Sequence, residues 1–157
     1  MGDILKKRIK QLKFKSREQE TILNLFLASN YLHSKIDEIC SQFKITHSQF
    51  NVLRILNGVF PNGHSRGAIK SRMIEPSPDV TRLIDKLVKV GLVERYGSVN
   101  DRRLSMSRIT KKGIDLLELI NPEVDKFLIN YTSTLTENEK ATLSDLCEKM
   151  YAKELEE

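Results

Sequence analysis

The chain has no tryptophan, and aromatic residues make up only 6% of its 157 positions. Seven glycines and four prolines are too few for a fold of many short strands and tight turns. The two cysteines, Cys40 and Cys147, cannot build a disulfide framework, and neither sits in a Cys-x-x-Cys pair. No apolar run approaches the roughly 18 residues that a membrane span needs. The longest such stretch, around Ile22 to Ala28, is broken by polar residues. Lys6, Lys7 and Arg8 are followed by neither an apolar segment nor a small-residue cleavage site, so no signal peptide is expected. The expected location is the cytoplasm, with no membrane partner. A surface role for the basic first 20 residues remains the one open membrane reading.

What is present is a globular composition. Hydrophobic residues account for 39% and charged residues for 30%, which excludes a disordered chain. A chain of about 150 residues buries roughly 70% of its unfolded surface, enough for one real core. The formal net charge of +5 is unevenly spread. Residues 61–113 carry twelve Lys/Arg against five Asp/Glu, and residues 114–157 carry four against eleven. A basic middle followed by an acidic end suits a polyanionic partner, although a solvated charged surface gives the same count.

Hydrophobic spacing places the elements. Ile22, Leu25, Phe26, Leu32, Ile36 and Ile39 recur at helical intervals. Thr46 and Gln49 make a capping box for a helix carrying Phe50, Leu53 and Leu56, with Gly58 at its end. Ser65 can cap a short helix through Ala68, Ile69 and Met73. Ser77 and Pro78 supply an N-cap and a first-turn proline for a helix with Val80, Leu83, Ile84, Leu87 and Val88 on one side, ended by Gly91. Residues 92–96 and 104–109 alternate as two strands of a hairpin. Thr110 can cap a helix that Pro122 is expected to kink or restart. Thr136 and Glu139 form a second capping box.

The residues offer little for catalysis. His33, His47 and His64 fall on different elements, without His-Glu-x-x-His spacing, and no nucleophile-elbow, P-loop or dinucleotide motif occurs. No catalytic residue, metal or other cofactor is assigned, although a metal site built from residues distant in sequence stays open. Cys40 and Cys147 read first as packing residues and second as sensing thiols.

The basic middle is more informative. Two short helices, the second with Arg82, Lys86 and Lys89 on its outer face, followed by a hairpin with Arg102 and Arg103 near its tip, form the pattern of a winged helix-turn-helix. The fold class expected is mainly α, a three-helix core plus a β-hairpin wing. The second helix would enter the major groove of double-stranded DNA and the wing would reach the minor groove or backbone. The expected DNA-facing set is Ser77, Asp79, Thr81, Arg82, Lys86, Arg102 and Arg103. Ser77 and the backbone N–H groups at the helix start would hold phosphate.

At these residues the sequence resembles the MarR family of bacterial transcription regulators. The resemblance is carried by Ile45-Thr46-His47-Ser48-Gln49-Phe50-Asn51-Val52-Leu53, Asp79 to Leu87, Gly91-Leu92-Val93-Glu94-Arg95, Asp101-Arg102-Arg103 and Thr110-Lys111-Lys112-Gly113. Leu135 to Glu139 is similar to the start of the family's last helix, so the resemblance covers roughly residues 20–155. It implies a homodimer, with a dimerisation region from residues 1–38 and 113–157 around a DNA-binding domain at 39–112. It also implies Arg103 in the minor groove, Asp101 orienting the wing by pairing with an Arg, and Arg95 as that partner or as a phosphate contact. Many members bind small aromatic acids or phenols, and nothing here fixes such a pocket. Gly67-Ala68-Ile69 and Pro78 depart from the family pattern. Cys40 is too far along its helix for the family's peroxide-sensing mechanism. The resulting expectation is a homodimeric repressor on a pseudo-palindromic operator, tuned by a small effector. A winged-helix interaction or scaffold dimer without specific DNA reading is the alternative.

Overall fold

The computed structural model describes residues 2–75, 79–97 and 105–152. Among them the elements run α1 (Asp3–Ile9), α2 (Arg17–Gln42), α3 (His47–Asn57), β1 (His64–Ser65), α4 (Arg66–Lys70), α5 (Val80–Lys89), β2 (Val93–Gly97), β3 (Ser105–Ile109), α6 (Lys111–Tyr131) and α7 (Glu137–Tyr151). The chain divides into two compact units, Met1–Ile120 and Asn121–Glu157.

Local chemistry sets most of the boundaries. The Ser16 hydroxyl accepts the Gln19 backbone N–H at 3.3 Å, so α2 starts four residues before the apolar periodicity becomes legible at Thr21. Its end closes as a Schellman turn, with Ile45 N–H donating to the Cys40 carbonyl and Lys44 N–H to that of Ser41. Lys44 there has φ 61°, a position that glycine usually fills. Both capping boxes form as expected, Thr46 with Gln49 and Thr136 with Glu139. Gly58 caps α3 in ordinary right-handed geometry.

Three expectations change. The helix expected from Pro78 begins at Val80, and its cap is Asp79, whose carboxylate accepts the Arg82 N–H at 2.9 Å. A carboxylate beside the positive end of a helix is a strong cap. Ser77 and Pro78 lie outside the described residues. The wing gains a third strand: β1 pairs antiparallel with β3, giving the order β1-β3-β2. Two residues are too short for alternation to show in a sequence. Finally, of the kink or restart expected at Pro122, the restart does not occur, since Pro122 stands inside α6.

The core of the first unit is the meeting of α3, α4, α5 and the sheet. Val52, Leu53 and Leu56 of α3, Ile69 of α4, Ile84 and Leu87 of α5, and Val93 and Ile109 of the sheet are all at most 2% exposed. Each contributes about 1.5–3 kcal/mol by leaving water. One close junction fixes the helix after the wing. Gly91, with φ 77°, ends α5, and the Thr110 hydroxyl donates to the Gly91 carbonyl at 2.8 Å. Thr110 Oγ1 also accepts the Gly113 N–H at 3.2 Å, which makes it the cap of α6. A Cβ on Gly113 would overlap the Leu92 carbonyl oxygen and lie 2.6 Å from Ile109 Cγ1. Only glycine lets α6 start this close to the strand.

In the second unit, α7 buries no residue, and Leu143, Leu146 and Met150 are about half exposed. No helix among the described residues is long and apolar enough to cross a membrane.

Candidate nucleic-acid interface

Helix α5 is two-faced. Val80, Ile84 and Leu87 are buried, Leu83 and Val88 are half-buried, and Arg82, Asp85, Lys86 and Lys89 are exposed. The buried residues at i, i+4 and i+7 dock the helix, so the cations at 82, 86 and 89 project away from the core. The apolar stripe therefore runs through Ile84, with Leu83 at its margin.

An open hollow of about 590 Å³ lies between α5, the β1–α4 corner and the sheet, lined in part by Arg66, Thr81, Arg95 and Ser107. Arg66 Nη1 donates to Thr81 Oγ1 at 3.3 Å. Arg95 Nη2 reaches Asp85 Oδ1 at 2.7 Å. Of the residues expected at DNA from spacing or resemblance, the fold thus gathers Thr81 and Arg95 around one hollow, with Arg82 and Lys86 on the exposed side of the same helix. Asp79 is committed to the helix cap. Asp101, Arg102 and Arg103 lie outside the described residues, as does Ser77.

Two participants escaped the sequence reading. Arg66 begins a five-residue helix, too short to show a charged face. Asp85 carries no local signal, because its partner is on a strand ten positions later. At the wing, Glu94 faces Arg108 in register. Arg108 donates to Glu94 Oε1 at 2.8 Å through Nε, and its guanidinium lies 5.2 Å from the Tyr96 ring centre. A Cβ on Gly63 would overlap the Ser107 carbonyl oxygen and lie 3.0 Å from the Tyr96 hydroxyl. The turn before β1 therefore fits against the sheet only as glycine.

A second cluster joins residues of three other segments. His33 of α2, His47 at the start of α3 and Glu75 after α4 come together, with ligating atoms all within 4.8 Å of one another. His33 Nε2 is 2.6 Å from Glu75 Oε1. The two imidazoles meet edge to face, 4.8 Å between centres. His47 Nδ1 is buried without a hydrogen-bond partner, a state that costs about 1–3 kcal/mol. Burial, helped by the neighbouring His33, holds the His47 pKa below its ordinary value, partly opposed by Glu75 and Asp37. Sequence spacing held no sign of this group, since its members are separated by 14 and 28 residues. Cys40 is fully buried, and burial followed by the charge of Asp37 pushes its thiol up to about 11. That is opposite to what a sensing thiol needs.

The MarR family profile matches residues 45–105, the stretch from the start of α3 to β3. A MarR transcription factor of known structure from Planctomyces limnophilus is 33% identical, with a TM-score of 0.67 over 87% of this chain and 98% of that one. The chain belongs to the MarR family. The MarR-family regulator is also similar to the HTH-type transcriptional regulator MhqR of Bacillus subtilis, 26% identical over 83% of this chain and 92% of that one. A cysteine-to-serine mutant of Escherichia coli MarR, solved in complex with operator DNA, is 27% identical with a TM-score of 0.72, covering 80% of this chain and 89% of that one. The protein is a DNA-binding transcription regulator with a winged helix, and members of this MarR family are regulators and not enzymes.

Proposed function

We propose that the protein is a repressor that binds a pseudo-palindromic operator as a homodimer and whose DNA affinity a small-molecule effector changes. The observation that carries this reading is the two-faced α5: an apolar side locked in the core and Arg82, Lys86 and Lys89 outside. A similar MarR protein has been solved on operator DNA, which supports the same use of this face. Arg82 and Thr81 then meet base edges. Lys86, Arg95, Arg66 and Ser77 meet phosphate, and Asp79 keeps its place as the cap of α5. Arg102 and Arg103 carry the wing contact, and Asp101 orients it.

Dimerisation is supported by apolar side chains left outside on the helices of both chain ends. Phe26 of α2 is 61% exposed, and Ile129 of α6 is 71% exposed. With residues 1–38 and 113–157 as the dimerisation region and 39–112 as the DNA-binding domain, a second copy covers these faces. Two α5 helices would read half-sites roughly 34 Å apart. The effector class that the family resemblance suggests is a small aromatic acid or a phenol, acting by shifting the population of DNA-competent dimers.

The test is binding of the purified protein to the DNA upstream of its own gene, against scrambled DNA, across a salt series. Expected is a strong preference for the upstream DNA that weakens steeply with salt, with one dimer per site. Absent or salt-insensitive binding would overturn the reading in favour of an interaction dimer.

A further inference from the structure

The geometry points to a binding site for a divalent first-row transition cation, formed by His33, His47 and Glu75, that controls the segment leading into the recognition helix. Two imidazoles and a carboxylate are the donor set of such cations. Hard cations such as Mg²⁺ and Ca²⁺ prefer all-oxygen sites. In a tetrahedral zinc site, ligand atoms about 2.0–2.1 Å from the ion stand roughly 3.3 Å apart. The present spread, from 2.6 Å between His33 and Glu75 to a limit of 4.8 Å, brackets that value.

Three separate elements hold the ligands in place. His33 sits in the middle of α2. His47 is the first residue of α3, and its backbone N–H donates to Asp37 Oδ1 of α2 at 2.9 Å. The segment bearing Glu75 is tied to α3 by the Ile74 N–H, which donates to Asn51 Oδ1 at 3.2 Å. The His47 ring carries a buried nitrogen with no partner. An ordinary His–Glu ion pair accounts for His33 and Glu75 but leaves the second imidazole unexplained.

The control follows from position. Glu75 lies four residues before Asp79, the cap of α5. An ion joining Glu75 to α2 and α3 fixes a residue close in sequence to the start of the DNA-reading helix, and so couples metal binding to DNA affinity. This second step rests on the proposed DNA-binding role; the metal site itself does not.

The experiment titrates chelator-treated full-length protein with ZnCl₂, followed by calorimetry, with MgCl₂ as the control and CoCl₂ as a spectroscopic probe. Expected are one Zn²⁺ per chain, no Mg²⁺ binding, and visible absorption bands of tetrahedral Co²⁺. Glu75→Gln changes an exposed side chain and keeps the fold, which circular dichroism verifies. It weakens Zn²⁺ binding at least about tenfold, as do His33→Gln and His47→Gln. Zinc also tightens binding to upstream DNA at least about fivefold in the wild type and not in Glu75→Gln. No zinc uptake, or uptake unchanged in all three variants, overturns the site. Zinc uptake with unchanged DNA affinity overturns the control alone. Zinc uptake by a protein that binds no DNA at any salt removes the regulator reading and leaves the site standing.

Discussion

Arg95 at the base of the wing reaches back to Asp85 on α5, with 2.7 Å between Nη2 and Oδ1. The pair fastens strand β2 to the outer side of α5. It also removes a cation from the loose population of surface charges and holds it beside the hollow that Thr81 and Arg66 line. Both partners are substantially exposed, so their mutual stabilisation is expected at about 0.2–1 kcal/mol. Arg95→Ala is predicted to weaken DNA binding about equally for every sequence and to lower the slope of log affinity against log salt by about 1. Asp85→Asn removes a negative charge from the same face and raises nonspecific affinity. A salt series on both variants reads these effects, and an unchanged slope in Arg95→Ala would exclude Arg95 from phosphate contact.

Arg82 and Lys86 are one helical turn apart on the exposed side of α5, but their chemistry differs. The planar guanidinium suits a bidentate base contact, and the ammonium suits a phosphate. Arg82→Ala is predicted to cost about 1–3 kcal/mol on the preferred operator and to relax selectivity at one base pair. Lys86→Ala lowers affinity for preferred and scrambled DNA together. Measuring both variants on both DNAs separates the roles. Equal losses for Arg82→Ala on the two DNAs would assign it to the backbone.

The two thiols are expected to react at very different rates. Burial holds Cys40 in the thiol form with a pKa of about 11, against a half-buried Cys147. Because the folded-state pKa is raised, the associated stability is full below the unfolded value and is lost as pH rises from about 9 towards 11. With a thiol reagent at pH 8, Cys147 is predicted to label at once and Cys40 only after denaturant is added. Thermal stability should fall above pH 9, less so in Cys40→Ala once that variant's own lower baseline is taken into account. Prompt labelling of both thiols at pH 8 would contradict the buried placement of Cys40.

Two glycine exchanges should act in opposite directions. Gly113→Ala places a Cβ into the Leu92 carbonyl oxygen and against Ile109. Overpacking against backbone is predicted to destabilise by about 1–3 kcal/mol or more. Lys44→Gly relieves a left-handed residue at the Schellman turn that ends α2, and is predicted to stabilise by up to about 1 kcal/mol. Denaturant midpoints measure both.

The helices were legible because their signals are local. The capping boxes at Thr46 and Thr136, the stop at Gly91 and the apolar stripe of α5 each need only a few consecutive residues to act. The two wing strands showed for the same reason. The amino-acid order by itself determined the helical class, the helix–helix–hairpin sequence of a winged helix and the basic face of α5. Tertiary structure decided what depends on distance through space: β1 as a third strand, and Arg66 and Asp85 as partners of Thr81 and Arg95. It also decided that His33, His47 and Glu75 meet. A cap or stripe acts over one turn of chain, whereas an ion pair or a ligand cluster joins residues whose separation is set only when the core closes.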